Sequence, residues 1–236
     1  MTTINKLRND SVQIWIAQVP EEVVTNDILS TAELIQAERF VFQCDRSRFL
    51  ATRVMTRLVL SKYVDKHPSA LKFISDEYGK PFLKGDGESV FFNLSHTEKV
   101  IVCAVAPFRW IGIDIEQRVP DEYFDLAKQF FSDEETRWII EVPKEAGKQR
   151  FLHLWTHKEA FVKAIGKGFS IPLQCFSVVP DADGKSIVED PMQAFSNVQC
   201  WELSAFEYAS VFGAICYPFN GKERDIQLNT FDEWEC

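Results

Sequence analysis

The order of segments in the first half of the chain recurs in the second, and this duplication restricts the fold more than any single motif. Residues 13–20, QIWIAQVP, have a counterpart in residues 110–120, WIGIDIEQRVP, both closing on Val-Pro. Arg48-Phe49-Leu50 leads into one apolar helical pattern and Arg150-Phe151-Leu152 into another. Downstream, VIVCAVAP at 100–107 resembles ASVFGAICYP at 209–218. An offset of about a hundred residues, kept in the same order, implies two similar α+β halves of ordinary domain size. The expected division places residues 1–108 in an N-terminal α+β half and 109–236 in a C-terminal one.

The second half holds the densest chemistry. In FLHLWTHKEAFVKAIGKGFSIP (151–172), Phe151, Leu154, Trp155, Phe161, Val162 and Ile165 recur at helical spacing, and the run stops at Gly166 and Gly168 before Pro172. Trp155, Glu159 and Lys163 follow at i, i+4 and i+8, so a carboxylate and an ammonium share one line beside the apolar stripe. An ordinary ion pair at this spacing contributes only ~0.2–0.5 kcal/mol. Flanked by large apolar residues, however, charge is costly unless it meets a metal or a partner.

Further carboxylates stand upstream. Residues 110–116, WIGIDIE, alternate as a strand, with Ile111, Ile113 and Ile115 on one face and Gly112, Asp114 and Glu116 on the other. Residues two apart are separated by about 6.5 Å along a strand, within the span of two carboxylate arms converging on one cation. Mg²⁺ suits such a pair, because it takes one or two carboxylates, keeps several waters and completes its shell with phosphate oxygens. Glu159 is then a third carboxylate or a base beside them. A solvated strand face carrying two acids is the plainer reading of the pair taken alone.

Composition narrows the setting. Of 236 residues 46% are hydrophobic, enough for a packed core, and 26 basic against 35 acidic residues give a net charge of −9. That balance argues against a general nucleic-acid binder, so a phosphate site has to be local. MTTINKLRND carries no apolar run of signal-peptide type, which makes the cytoplasm the expected setting. The six Cys are scattered singly, without metal-type spacing.

Along the chain, residues 12–19 read as a strand and STAELIQAERF as a capped helix. A basic helix is expected from Asp45 to near Pro68, carrying Arg46, Arg48, Arg53 and Arg57; a solvated face is the plainer reading for most of them, and Arg48, in line with Thr52 near the helix start, stands apart. Tyr78-Gly79-Lys80-Pro81, Gly85-Asp86-Gly87 and Asp183-Gly184 are turn signals. Between two apolar strands, Ser95-His96-Thr97-Glu98-Lys99 reads as a polar link suited to phosphate. Residues 119–124 read as a loop available to a partner, and the tail as one further strand.

GIDIE at 112–116, WTHKEAFVKAIGKG at 155–168, NLSH at 93–96 and GKP at 79–81 together resemble the 4′-phosphopantetheinyl transferases, specifically the larger Sfp-like type. The resemblance runs from about Glu77 to Pro172 and is weaker outside it. It implies a pseudo-symmetric monomer of two α+β halves and transfer of 4′-phosphopantetheine from coenzyme A to a serine of an apo acyl or peptidyl carrier protein, releasing adenosine 3′,5′-bisphosphate. It implies that Asp114 and Glu116 hold Mg²⁺, that Glu159 completes the metal shell or acts as general base, and that Lys163 meets the phosphate. It further assigns Lys80, Ser95 and His96 to the nucleotide end of coenzyme A, Arg48 to its 3′-phosphate, and the loop with Val119, Tyr123 and Phe124 to the carrier. One departure is visible: lysines common in this type before the first long helix are replaced by Ser30-Thr31-Ala32-Glu33-Leu34-Ile35-Gln36. A Mg²⁺ nuclease and a non-catalytic carrier-binding protein are the alternatives, the first opposed by the acidic charge and the second by the intact acidic set.

Overall fold

The computed structural model describes residues 7–25, 27–85, 89–180, 185–189, 198 and 200–234. The turn expected at Asp183-Gly184, part of that at 85–87, and Cys236 lie outside the described residues. The chain divides into two compact units, each mixing helix and sheet. One comprises Met1–Glu77, Pro81–Arg109 and Arg224–Cys236, the other Tyr78–Lys80 and Trp110–Glu223.

In the first unit, β1 (Ser11–Gln18) alternates as its sequence requires, with Val12, Ile14 and Ile16 fully buried on one face. Trp15 and Ala17, on the other, join the core under the long helix α2 (Gln43–Ser61), where Val54, Met55, Leu58 and Val59 are buried. Helix α1 (Thr31–Ala37) begins with a complete capping box, Ser30 and Glu33 each satisfying the other's backbone N–H. The same Glu33 receives Arg57, whose guanidinium donates to its carboxylate at 2.7 Å and to the carbonyls of Pro68 and Leu71 at 2.8 and 3.0 Å. Arg57 is thus 3% exposed rather than part of a solvated face. It earns that burial because the guanidinium's donors meet a carboxylate and two carbonyls.

A short hairpin, β2 (Phe73–Ser75) with β3 (Pro81–Leu83), precedes β4 (Phe91–His96) and β5 (Val100–Ala106). The expected polar link is shorter than its sequence suggests. Ser95 and His96 end β4, paired with Val102 and Ile101, and only 97–99 form the turn. The sheet is completed by β10 (Asp225–Thr230), giving the order β10-β1-β5-β4. This corrects the single division at 108/109: from Arg224 onward the chain returns to the first unit, because β10 pairs in parallel with β1.

The second unit repeats the plan. Strand β6 (Gly112–Glu116) is followed by α3 (Tyr123–Phe130), α4 (Asp133–Ile140) and the long α5 (Lys144–Ile165). Strands β7 (Lys185–Glu189), β8 (Cys200–Tyr208) and β9 (Val211–Pro218) complete an antiparallel sheet of order β6-β9-β8-β7. In both units a strand leads to a long helix and then to a hairpin whose second strand pairs with the first: β1–α2–β4–β5 and β6–α5–β8–β9. Two helices run differently from expectation. α2 ends at Ser61, short of Pro68, and α5 starts a turn and a half before Arg150. Gly166, at φ 80°, stops α5 in the left-handed conformation.

Tyr123 begins α3 and is buried, its ring 5.7 Å from Phe151, so it belongs to the core instead of a partner loop. Beneath α5, Lys158 and Glu135 form an ion pair at 2.8 Å with both side chains fully buried. The Lys158 ammonium also donates to the carbonyls of Leu173 and Phe176, each at 2.6 Å, while Glu135 accepts Val178 N at 2.9 Å.

Candidate active site

The acids and bases singled out in the second half come together where α5 crosses β6. The crossing is close because Gly112 has no side chain: a Cβ there would stand 2.0 Å from the carbonyl oxygen of Ala160. With the helix this near, the line of Trp155, Glu159 and Lys163 faces the strand positions Asp114 and Glu116. Lys163 Nζ lies 2.6 Å from Asp114 Oδ1, and the Asp114 side chain is only 6% exposed. The Trp155 indole donates to Glu116, its ring held by stacking on Phe151 at 5.7 Å and by Phe130 and Phe131.

Three carboxylates therefore share a sparsely solvated site with Lys163. Burial pushes the Glu116 carboxyl up to about 7, with repulsion from Asp114 and Glu159 adding to it and the attraction of Lys163 opposing. Glu159 is raised by the same causes, burial first and Asp114 second. Among the described residues no three such side chains are already gathered as metal ligands. The donor chemistry nevertheless fits a hard divalent cation, which needs only one or two carboxylates and relieves the repulsion that raises Glu116.

The remaining expected residues are placed separately. Arg48 lies in the first turns of α2, ion-paired to Asp45 at 2.5 Å, and Ser95 and His96 end β4, all in the first unit. Lys80, with the second unit, directs its ammonium at the carbonyls of Ile111, Lys163 and Ala164 at 3.0, 2.7 and 2.9 Å. Two features escaped the sequence reading: the indole bond to Glu116 and this use of Lys80. Trp155 carried a signal, standing in line with Glu159 and Lys163. For Lys80 no local pattern exists, because its acceptors lie 31 to 84 positions away.

Comparison with known proteins identifies the family. Residues 111–216 match the model of the 4′-phosphopantetheinyl transferase superfamily, and 13–108 that of the 4′-phosphopantetheinyl transferase N-terminal domain. The chain is 37% identical over 199 residues to the 4′-phosphopantetheinyl transferase Sfp of Bacillus subtilis (strain 168), covering 84% of this chain and 86% of that one. It is 38% identical to the 4′-phosphopantetheinyl transferase HetI of Nostoc sp. (strain PCC 7120), over 70% and 72% of the two chains. It is 32% identical to the 4′-phosphopantetheinyl transferase gsp of Aneurinibacillus migulanus, over 70% of each. These matches leave the nuclease and the binding-only alternatives without support. No helix among the described residues is long and apolar enough to cross a membrane.

Proposed function

The chain belongs to the 4′-phosphopantetheinyl transferase superfamily, and on that premise we propose that it transfers 4′-phosphopantetheine from coenzyme A to a serine hydroxyl of an apo acyl or peptidyl carrier protein. The serine oxygen bonds to the phosphorus bearing pantetheine, the pyrophosphate P–O bond breaks, and adenosine 3′,5′-bisphosphate leaves. Asp114 and Glu116, with Glu159, are the residues that would hold Mg²⁺. When bound, that ion would act as a Lewis acid and neutralise pyrophosphate charge.

The chain's own groups supply the rest. Glu159 takes the proton of the attacking hydroxyl, a role favoured by burial and Asp114, which make its carboxylate a stronger base than an exposed one. Lys163, fixed by Asp114, stabilises the charge that develops on the departing phosphate. Trp155 orients Glu116. Arg48, Ser95 and His96 are assigned to the nucleotide end of coenzyme A. A cytoplasmic monomer is the form that fits best, in keeping with the free Cys44, Cys103, Cys175, Cys200 and Cys216.

The observation that carries this reading is the 2.6 Å pair of Lys163 and Asp114, which sets the helix line against the strand acids. Intact-protein mass spectrometry of an apo carrier incubated with the chain, coenzyme A and Mg²⁺ tests it. The carrier should gain one phosphopantetheine, and EDTA should abolish the gain. No gain on acyl or peptidyl carriers, with coenzyme A still bound, defeats it.

A further inference from the structure

We infer that Lys80 is a positioning residue for the reacting cluster, acting through the end of α5, and that it is not a contact for the nucleotide of coenzyme A. The inference rests on the transfer reaction proposed above. Its geometric basis is the environment of the ammonium. A lysine head has three N–H donors, and three backbone carbonyls accept from this one at 2.7 to 3.0 Å. The residue is 8% exposed. Turning the head toward a phosphate would strip those carbonyls of their donor, and buried acceptors left without one are costly.

The acceptors are not arbitrary. Lys163 and Ala164 stand in the last turn of α5, where carbonyls have no intrahelical partner and the helix dipole favours a cation. Ile111 immediately precedes β6. One ammonium therefore ties the helix end to the strand start, at the place where Gly112 lets the two approach. The residue whose carbonyl it holds at 2.7 Å is the same Lys163 whose side chain reaches Asp114 at 2.6 Å. Glu159 lies one turn back on the same helix. Releasing the clamp frees α5 to slide or rotate against β6, and both reacting groups on the helix move with it.

Steady-state transfer to an apo carrier by the full chain, with coenzyme A affinity measured by calorimetry, tests this on K80M. The Met side chain preserves the apolar stem and removes the donors. Misplacement of reacting groups by an ångström is worth on the order of 10²-fold, so kcat should fall by about that factor while coenzyme A affinity and KM change by less than about threefold. K80R serves if K80M does not fold: a planar guanidinium cannot direct its donors as a tripod at three converging carbonyls. Its kcat should therefore fall while coenzyme A binding persists.

Weakened coenzyme A binding with kcat retained, in either variant, would return Lys80 to the nucleotide and overturn the inference, as would unchanged kinetics. Wild-type turnover separates the two readings. If the wild type transfers nothing, the function fails. If it transfers and the Lys80 variants match it, only the positioning role fails.

Discussion

Lys158 and Glu135 meet 2.8 Å apart with neither side chain accessible to solvent, one residue along from the carboxylate of Glu159. Burial lowers the Lys158 pKa, and Glu135 opposes that shift by favouring the charged form. The rings of Phe176 and Phe131 lie 4.2 and 5.7 Å from the same ammonium. Removing one partner strands the other. K158M should cost about 3–5 kcal/mol in urea unfolding, and pairing it with E135L should recover part of that, since a paired loss leaves no buried charge. An unchanged midpoint in K158M would mean the pair is not closed in solution.

For the chemistry, E159Q removes the base and keeps the shape. Transfer should fall by about 10²–10⁴-fold with an unaltered circular dichroism spectrum. D114N should fall as well, and excess Mg²⁺ should restore part of its rate if Asp114 holds the ion. A folded E159Q with near-normal turnover removes Glu159 from the mechanism.

Gly112→Ala should separate α5 from β6. The added carbon would stand 2.0 Å from Ala160 O and 2.3 Å from Ala164 N, both backbone atoms that cannot rotate away. Overpacking of this kind costs about 1–3 kcal/mol, and transfer should drop with it, since the same crossing aligns Lys163 with Asp114. Thermal unfolding together with kcat checks both parts.

Acid should destabilise the second unit through His153. Burial holds this imidazole down at about 4 against an ordinary 6.5. The His157 ring stacks on it at 4.0 Å, and Arg150 and Glu207 line the groove it faces. Because the unfolded form takes the proton first, the contribution is fully present above pH 6.5 and is lost as the pH falls towards 4, to a total on the order of 3 kcal/mol. H153Q should flatten the fall in unfolding free energy between pH 7 and pH 4.5, and a parallel fall would assign it to other groups.

Periodicity made much of this site readable. A spacing of four along a helix put Trp155, Glu159 and Lys163 in one line, and a spacing of two along a strand put Asp114 with Glu116. What it could not supply was anything set by distant partners. Lys158 and Lys163 are the same residue type on the same helix, yet one is sealed against Glu135 and the other reaches the site. Only the fold decides which. Tyr123 read as loop because Pro120 stands just before it, and the pocket against Phe151 overrode that signal. The tail read correctly as a strand, but its partner was beyond reach of any local pattern.

That partner ties the two ends of the sequence together. Register pairs Ser11 with Asp225 and Ile16 with Thr230, so the last described strand is a neighbour of the first. The second unit is one continuous run, 110–223, apart from Tyr78–Lys80. Its own strands are complete without β10, whereas the N-terminal sheet needs that strand to cover β1. A deletion that removes β10 is therefore felt first at the far end of the sequence, along Ser11–Ile16.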